Sequence, residues 1–207
     1  MMQNQPQFLE CLVTCYQWAS MNQPPTDDKT VSPTRDVFRA RLDHFYKQMR
    51  GNLWSETEGA LMTAVVGEIG NNCFDHNLGQ WRDAPGCWFE WGSLPDNSLG
   101  WVLIADRGQG VRSSLERVDP SIQSDQQAID TAFSKILSGR SPEKRGNGLK
   151  FVKQIVNGDS RRGLLFLSGE GRMVLGKLGD LAVRYSAELV KGKKIFGTWT
   201  LLLGEKS

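Results

Sequence analysis

Apolar positions recur along this chain at two periods, and the order in which those periods appear predicts the architecture. Phe8, Leu9, Leu12, Val13 and Tyr16 repeat at helical spacing and predict a helix to about Ser20, broken by Gln23-Pro-Pro-Thr-Asp-Asp28. A second helix is expected from Ser32-Pro33, with Pro in the first turn, to near Gly51; it carries Val37, Phe38, Leu42, Phe45, Tyr46 and Met49. A third is expected from about Ser55 to Asn77, with Leu61, Val65, Ile69 and Cys73 on its apolar face.

Strand patterns follow. Cys87-Trp-Phe-Glu-Trp91 and Trp101-Val-Leu-Ile-Ala105 flank a Pro-Asp-Asn-Ser turn. Further strands are expected at Leu164–Leu167, Met173–Leu175, Leu181–Tyr185 and Phe196–Leu203. Two helical stripes lie between the second and third strands. One is Ala128, Ile129, Ala132, Phe133, Ile136 and Leu137; the other is Leu149, Val152, Ile155 and Val156, stopped by Asn157-Gly158. Helices first and meandering strands last predict an α+β fold, a two-layer α/β sandwich with helices on one face of a mostly antiparallel sheet.

Composition narrows the function classes. The 207 residues carry a net charge of +2, which gives no bulk-charge argument for a nucleic-acid or membrane-surface partner, although Arg140, Lys144, Arg145, Lys150 and Lys153 bunch locally. No apolar run approaches the ~20 residues of a membrane span, and Met1–Pro6 lacks a basic leader, so a cytoplasmic location is expected. Cys11 and Cys15 stand one helical turn apart, but no second pair completes a zinc set with Cys73 and Cys87; free thiols are expected.

Three segments carry candidate chemistry. In Glu68-Ile-Gly-Asn-Asn72-Cys-Phe-Asp-His76, an acid, an amide and an imidazole follow at four-residue steps, along one stripe of the third helix. Glu68 can orient or deprotonate a water or hydroxyl. Asn72 can offer an amide oxygen to magnesium, which prefers hard oxygen ligands, and His76 can donate to a phosphate. Gly67 and Gly70 lie inside this helix at a cost of ~1 kcal/mol each relative to Ala, which implies that a ligand or the sheet presses closely there. Next, Asp106 stands at a strand end before Arg107-Gly108-Gln109-Gly110. A carboxylate there can accept from an exocyclic amine such as adenine N6, with glycines letting backbone approach the base. Finally, Arg145-Gly146-Asn147-Gly148-Leu149 opens a helix whose free N–H groups and dipole favour an anion, with Lys144, Arg145 and Lys150 adding charge. Taken singly, each segment is equally a solvated polar stripe, a plain Asp-x-Gly turn or a glycine-rich helix start.

In this order the three segments resemble the asparagine box and the two glycine boxes of the GHKL superfamily, which covers histidine-kinase ATPase domains, anti-sigma serine kinases, gyrase-type ATPases and heat-shock chaperones. The resemblance spans roughly Ser55 to Ser207, and the Glu68…Asn72…His76 spacing is most similar to the anti-sigma serine-kinase branch. It implies a Bergerat-type sandwich binding ATP and magnesium. Asn72 would ligate the metal, Asp106 would bind adenine, and Gly108, Gly110, Gly146 and Gly148 would shape the pocket. Gly197-Thr198 resembles the family's last Gly-Thr box, and Val111–Arg145 would be the lid. Residues 53–207 would form the ATP-binding domain, and residues 1–52 a helical extension for docking a protein partner or forming a homodimer.

The chain departs from that pattern at Lys150-Phe151, where a second Gly-Leu often stands, and has no phenylalanine-containing lid box. Three functions compete. The first is a stand-alone protein kinase or ATPase in bacterial signalling with Glu68 as base. The second is a nucleotide-responsive regulator without significant turnover. The third is a histidine kinase using His44, which lacks the acidic residue and proline that normally follow a phosphoacceptor.

Overall fold

A computed structural model describes residues 6–23, 29–134, 147–190 and 194–207. Within them lie helices α1 (Pro6–Ser20), α2 (Arg35–Met49), α3 (Glu56–Asp75), α4 (Gly110–Leu115), α5 (Asp125–Ser134), α6 (Gly148–Asn157) and α7 (Gly179–Val190). The strands are β1 (Val31–Ser32), β2 (Cys87–Ser93), β3 (Leu99–Asp106), β4 (Arg162–Gly169), β5 (Gly171–Leu175) and β6 (Ile195–Glu205). They form one sheet in the order β1-β2-β3-β6-β4-β5, every neighbouring pair antiparallel.

The α+β class and the packing of helices on an antiparallel sheet expected from the periodicity are present, and helices cover the second face of the sheet as well. Phe89, Val102, Ile104, Phe166 and Leu202 point to one face of the sheet, where they meet α2, α3, α5 and α6. The alternate residues, Trp88, Trp101, Leu103, Leu165 and Trp199, point to the other face, where α1 and α7 cover them. That second covering explains why β3 is apolar without interruption up to Asp106: a strand buried on both faces does not alternate with polar residues. The first helix is thereby packed onto the same sheet that carries the remaining strands. No helix among the described residues is long and apolar enough to cross a membrane, and all four cysteines are free.

Two local expectations are corrected. Leu181–Tyr185 is not a strand but part of α7. Leu181, Val183 and Tyr185 alternate, yet Leu178, Ala182, Tyr185 and Leu189 are also spaced at three or four, and the packing against the sheet selects that longer period. Neither a ligand nor the sheet explains the glycines of α3; their close neighbour is α2. A Cβ on Gly70 would stand 2.0 Å from Cζ of Phe38, and one on Gly67 would stand 3.3 Å from a methyl of Leu42. The two helices run antiparallel at close approach because glycine leaves the space into which Phe38 wedges.

The remaining boundaries follow from caps. Thr34 caps α2 by accepting from the Val37 N–H, so Pro33 lies just outside the helix, and Ser55 caps α3 by accepting from the Glu58 N–H. A buried ion pair holds the start of α3 to the start of β4: Arg162 Nε donates to Glu58 Oε1 at 2.7 Å. Phe133 closes the described part of α5 against Phe166, whereas Ile136 and Leu137 fall outside the described residues.

Candidate functional site

Strand register builds the floor of the site. Asp106, the last residue of β3, stands opposite Thr198 of β6, and Thr198 stands opposite Ser168 of β4. Asp106 is only 2% exposed. Its Oδ1 accepts from Asn77 Nδ2 at 2.9 Å and from the Gly108 N–H at 2.8 Å, and its Oδ2 accepts from the Thr198 hydroxyl. A carboxylate offers about four lone-pair sites; these three donors take three, and the Cys73 thiol, a weak donor, stands beside the group as well, so a ligand amine would compete only with the thiol. Both Asn77 N–H donors are used, since Nδ2 also donates to the Cys73 carbonyl, and its Oδ1 accepts from the Gln109 N–H. Gly197 of β6 has φ +76, and a Cβ on it would stand 2.3 Å from the Asp106 carbonyl oxygen, a position only glycine fills without strain.

The loop after Asp106 is anchored from behind. The Arg107 side chain is wholly buried and donates to both carboxylate oxygens of Asp83, and to the Trp18 and Met21 carbonyls at the end of α1. Those carbonyls are among the acceptors a helix end leaves unsatisfied. The Arg107 guanidinium in turn holds the Asp83 carboxyl below its usual range.

Above this floor is a cavity of about 310 Å³ between α3, α4, α6 and the sheet. Glu68, Asn72, His76 and Asp106 all line it, as do Gly110, Gly148, Leu149 and Thr198. Gly108 lies just behind, against the Asn77 amide, and lines a neighbouring cleft. Lys144, Arg145 and Gly146 fall outside the described residues, as does the part of the expected lid beyond Ser134. Its described part contains α4 and α5. His44 is exposed on α2 beside Trp91, with ring centroids 6.0 Å apart, and does not line the cavity.

The lining is mixed in chemistry. Ile69, Val111, Leu115 and Phe166 supply apolar walls, and Asp106 supplies a buried carboxylate. Helix α6 begins at Gly148, also in the lining, and among the described residues the side chain of its Asn147 cap makes no bond to the first N–H groups, which a helix start leaves without intrahelical partners. Glu68 reaches this helix start: a Cβ on Gly148 would stand 2.4 Å from Glu68 Oε2. Asn72 and Asn71 lie on the same wall, and Asn71 Oδ1 is buried without a hydrogen-bond partner. These are hard oxygen donors. No three His, Cys, Asp or Glu side chains converge among the described residues, so an ion here would draw most of its ligands from a bound phosphate and water, as magnesium commonly does.

His76 caps the C-terminal end of α3 rather than standing free over the anion end. Its Nδ1 lies 3.1 Å from the Ser114 hydroxyl of α4. Burial, with Arg117 nearby, lowers its pKa, so its neutral form is favoured and it links α3 to α4 more readily than it attracts a phosphate by charge.

Sequence reasoning missed Asn77, Ser168, Arg35 and Arg39. Asn77 follows Cys73 by one turn, a spacing that returns its amide toward the same strand end. Ser168 accepts from the Val111 N–H at 3.0 Å and donates to the Gly197 carbonyl at 2.8 Å, joining the start of α4 to β6. Arg35 and Arg39 line the cavity from α2, and their four-residue spacing was the available signal.

No protein-family model matches the chain, and no curated protein matches it.

Burial pushes the Asp106 carboxyl up to about 6, against the lowering effect of its Thr198, Gly108 and Asn77 donors. Because the folded value exceeds the ordinary 3.8, the stability linked to this group is fully present below 3.8 and is lost as pH rises through about 6. Ligand binding runs the other way. An amine donor requires the ionised acceptor, so affinity for adenosine, which carries no titrating phosphate, is expected to fall as pH drops through about 6. Titration calorimetry across that range, with Asp106→Asn as the control that should lose this dependence, checks it.

Proposed function

We propose that the protein binds ATP with magnesium in this cavity and acts as a stand-alone protein kinase or ATPase of the GHKL type in a bacterial signalling switch in the cytoplasm. One observation carries the reading: a buried carboxylate braced by donors, and a helix start that its own Asn147 side chain does not cap, line one partly apolar cavity. An adenine ring needs the first and a phosphate chain the second. The resemblance of Glu68…Asn72…His76, Asp106…Gly110 and Gly146…Leu149 to the family's boxes supports the same assignment, as does the α+β fold with α3 and α6 packed on one face of an antiparallel sheet.

In this reading Asp106 accepts from the adenine amine and Thr198 holds Asp106 in position. The α6 start and Asn72 receive the phosphates and their metal. The ion would supply charge neutralisation and orient the terminal phosphate. Glu68, beside the same helix start, would hold the proton of an attacking hydroxyl or water. Glu68 Oε2 lies close to Gly148 at that helix start, so a phosphate bound there would have this carboxylate as a neighbour.

A second reading, a regulator with negligible turnover, draws support from Arg107. That residue separates Asp106 from Gly108 in the chain and holds the end of α1, so occupancy of the adenine slot bears mechanically on the N-terminal helix.

Titration with ATP and with a non-hydrolysable analogue, each with and without magnesium, tests the shared premise. Magnesium-dependent binding of both, with GTP excluded, is the expected result. No binding at millimolar ligand would end both readings.

A further inference from the structure

We infer that Arg39, supplied by α2, reads the terminal phosphate of the bound nucleotide and makes the site selective for a triphosphate over a diphosphate. The inference rests on the adenine-nucleotide reading above.

The placement follows from helix packing. Arg35 is ion-paired with Asp75 near the C-terminal end of α3, Phe38 packs into Gly70, and Leu42 packs on Gly67. Residue numbers therefore rise along α2 as they fall along α3. Arg39, one turn after Arg35 and on the same stripe, is level with Asn71 and Glu68. The Phe38 wedge fixes the rotation of α2, so Arg39 is held on the cavity wall that it lines.

The position is remote from the base. Asn77 touches Asp106 just past the end of α3, and Asn71 lies four residues before the last residue of that helix, about 6 Å further along its axis at 1.5 Å per residue. A nucleotide with its base on Asp106 thus runs along α3 and brings the end of its phosphate chain toward Arg39.

Charge selects Arg39 over its neighbours. Among the described residues lining the cavity, the arginines are Arg35 and Arg39, and the carboxylates are Glu68, Asp75 and Asp106. Arg35 is engaged by Asp75, whereas no ion pair is formed by Arg39 among the described residues. Asn71, at the same level, has a buried Oδ1 without a partner. A polyphosphate entering here meets an uncommitted guanidinium, whose planar fork matches phosphate oxygens, and an unused amide oxygen suited to a phosphate-borne cation.

The test compares wild type, Arg39→Gln and Arg39→Lys for affinity to ATP, ADP and adenosine with magnesium. Arg39 is exposed in the ligand-free protein, so neither substitution disturbs the core. Arg39→Gln is expected to weaken ATP binding roughly 10- to 100-fold, the range of a hydrogen bond to a charged group. ADP should change only a few-fold and adenosine not at all, with Arg39→Lys recovering part of the ATP loss. Equal losses for all three ligands, or an unchanged ATP affinity, would overturn the role of Arg39 while leaving the nucleotide site standing. Failure of wild type to bind even adenosine would remove the site and this inference together.

Discussion

Replacing Asp106 with Asn is expected to weaken binding of adenine nucleotides by about 1–3 kcal/mol, roughly 5- to 150-fold, with a smaller effect on folding. The hydrogen bonds around the residue explain the asymmetry. Oδ1 must remain an oxygen, because Asn77 Nδ2 and the Gly108 N–H both donate to it. The new amide nitrogen therefore takes the Oδ2 position, where the Thr198 hydroxyl can reverse and accept. That side of the group then presents N–H instead of a lone pair, and an adenine amine meets a donor. Removal of a buried charge offsets part of any cost to the fold, since burial already disfavours the ionised form of Asp106. Titration calorimetry with ATP and GTP, beside thermal melting, reads both effects. Unchanged ATP affinity in the variant, or a wild-type preference for GTP, would remove Asp106 from base recognition.

Glu68→Gln is expected to leave ATP affinity nearly intact and to lower hydrolysis or phosphotransfer roughly a hundredfold or more, the usual contribution of a positioned base. Asn72→Ala should behave differently, losing the magnesium-dependent part of ATP affinity as well as turnover, because a metal ligand acts in binding and in chemistry alike. Both side chains line the same end of the cavity, and Glu68 reaches the start of α6, so the two variants separate proton transfer from metal binding at one location. Activity assays with and without a captured protein partner, beside binding measurements, decide the matter. Full activity in Glu68→Gln would move the base elsewhere. A wild type that binds ATP but shows no turnover above buffer would leave the regulator, in which Arg107 carries the occupancy of the slot to α1.

Much of this molecule is written locally. The helical stripes of α1, α2, α3, α5 and α6 appear in the spacing of their apolar residues, because a helix buries a face that repeats every three to four positions and little else has that period. The apolar runs of β2, β3, β4 and β6 and the turn between β2 and β3 are equally visible. Glu68, Asn72 and Asp106 were readable as candidates for the same reason: their partners in the argument lie within one helix or at one strand end.

Long-range packing decided the rest. Residues 181–185 satisfy both the strand and the helix period, and only contact with the reverse face of the sheet makes them α7. The glycines of α3 signal a close approach without naming the neighbours, which are Phe38 and Leu42 of the preceding helix. Asn77, Thr198 and Ser168 acquire their roles from strand register and from the end of α3, and Arg35 and Arg39 from the antiparallel seating of α2. By itself, then, the sequence determined the α+β class, most of its elements and the acid, amide and glycine types of the candidate site. Tertiary structure determined which donors surround Asp106, which helix supplies the cavity's arginines and what covers the second face of the sheet. Periodicity and spacing are short-range properties of the chain, whereas hydrogen-bond partners and burial exist only once distant segments meet.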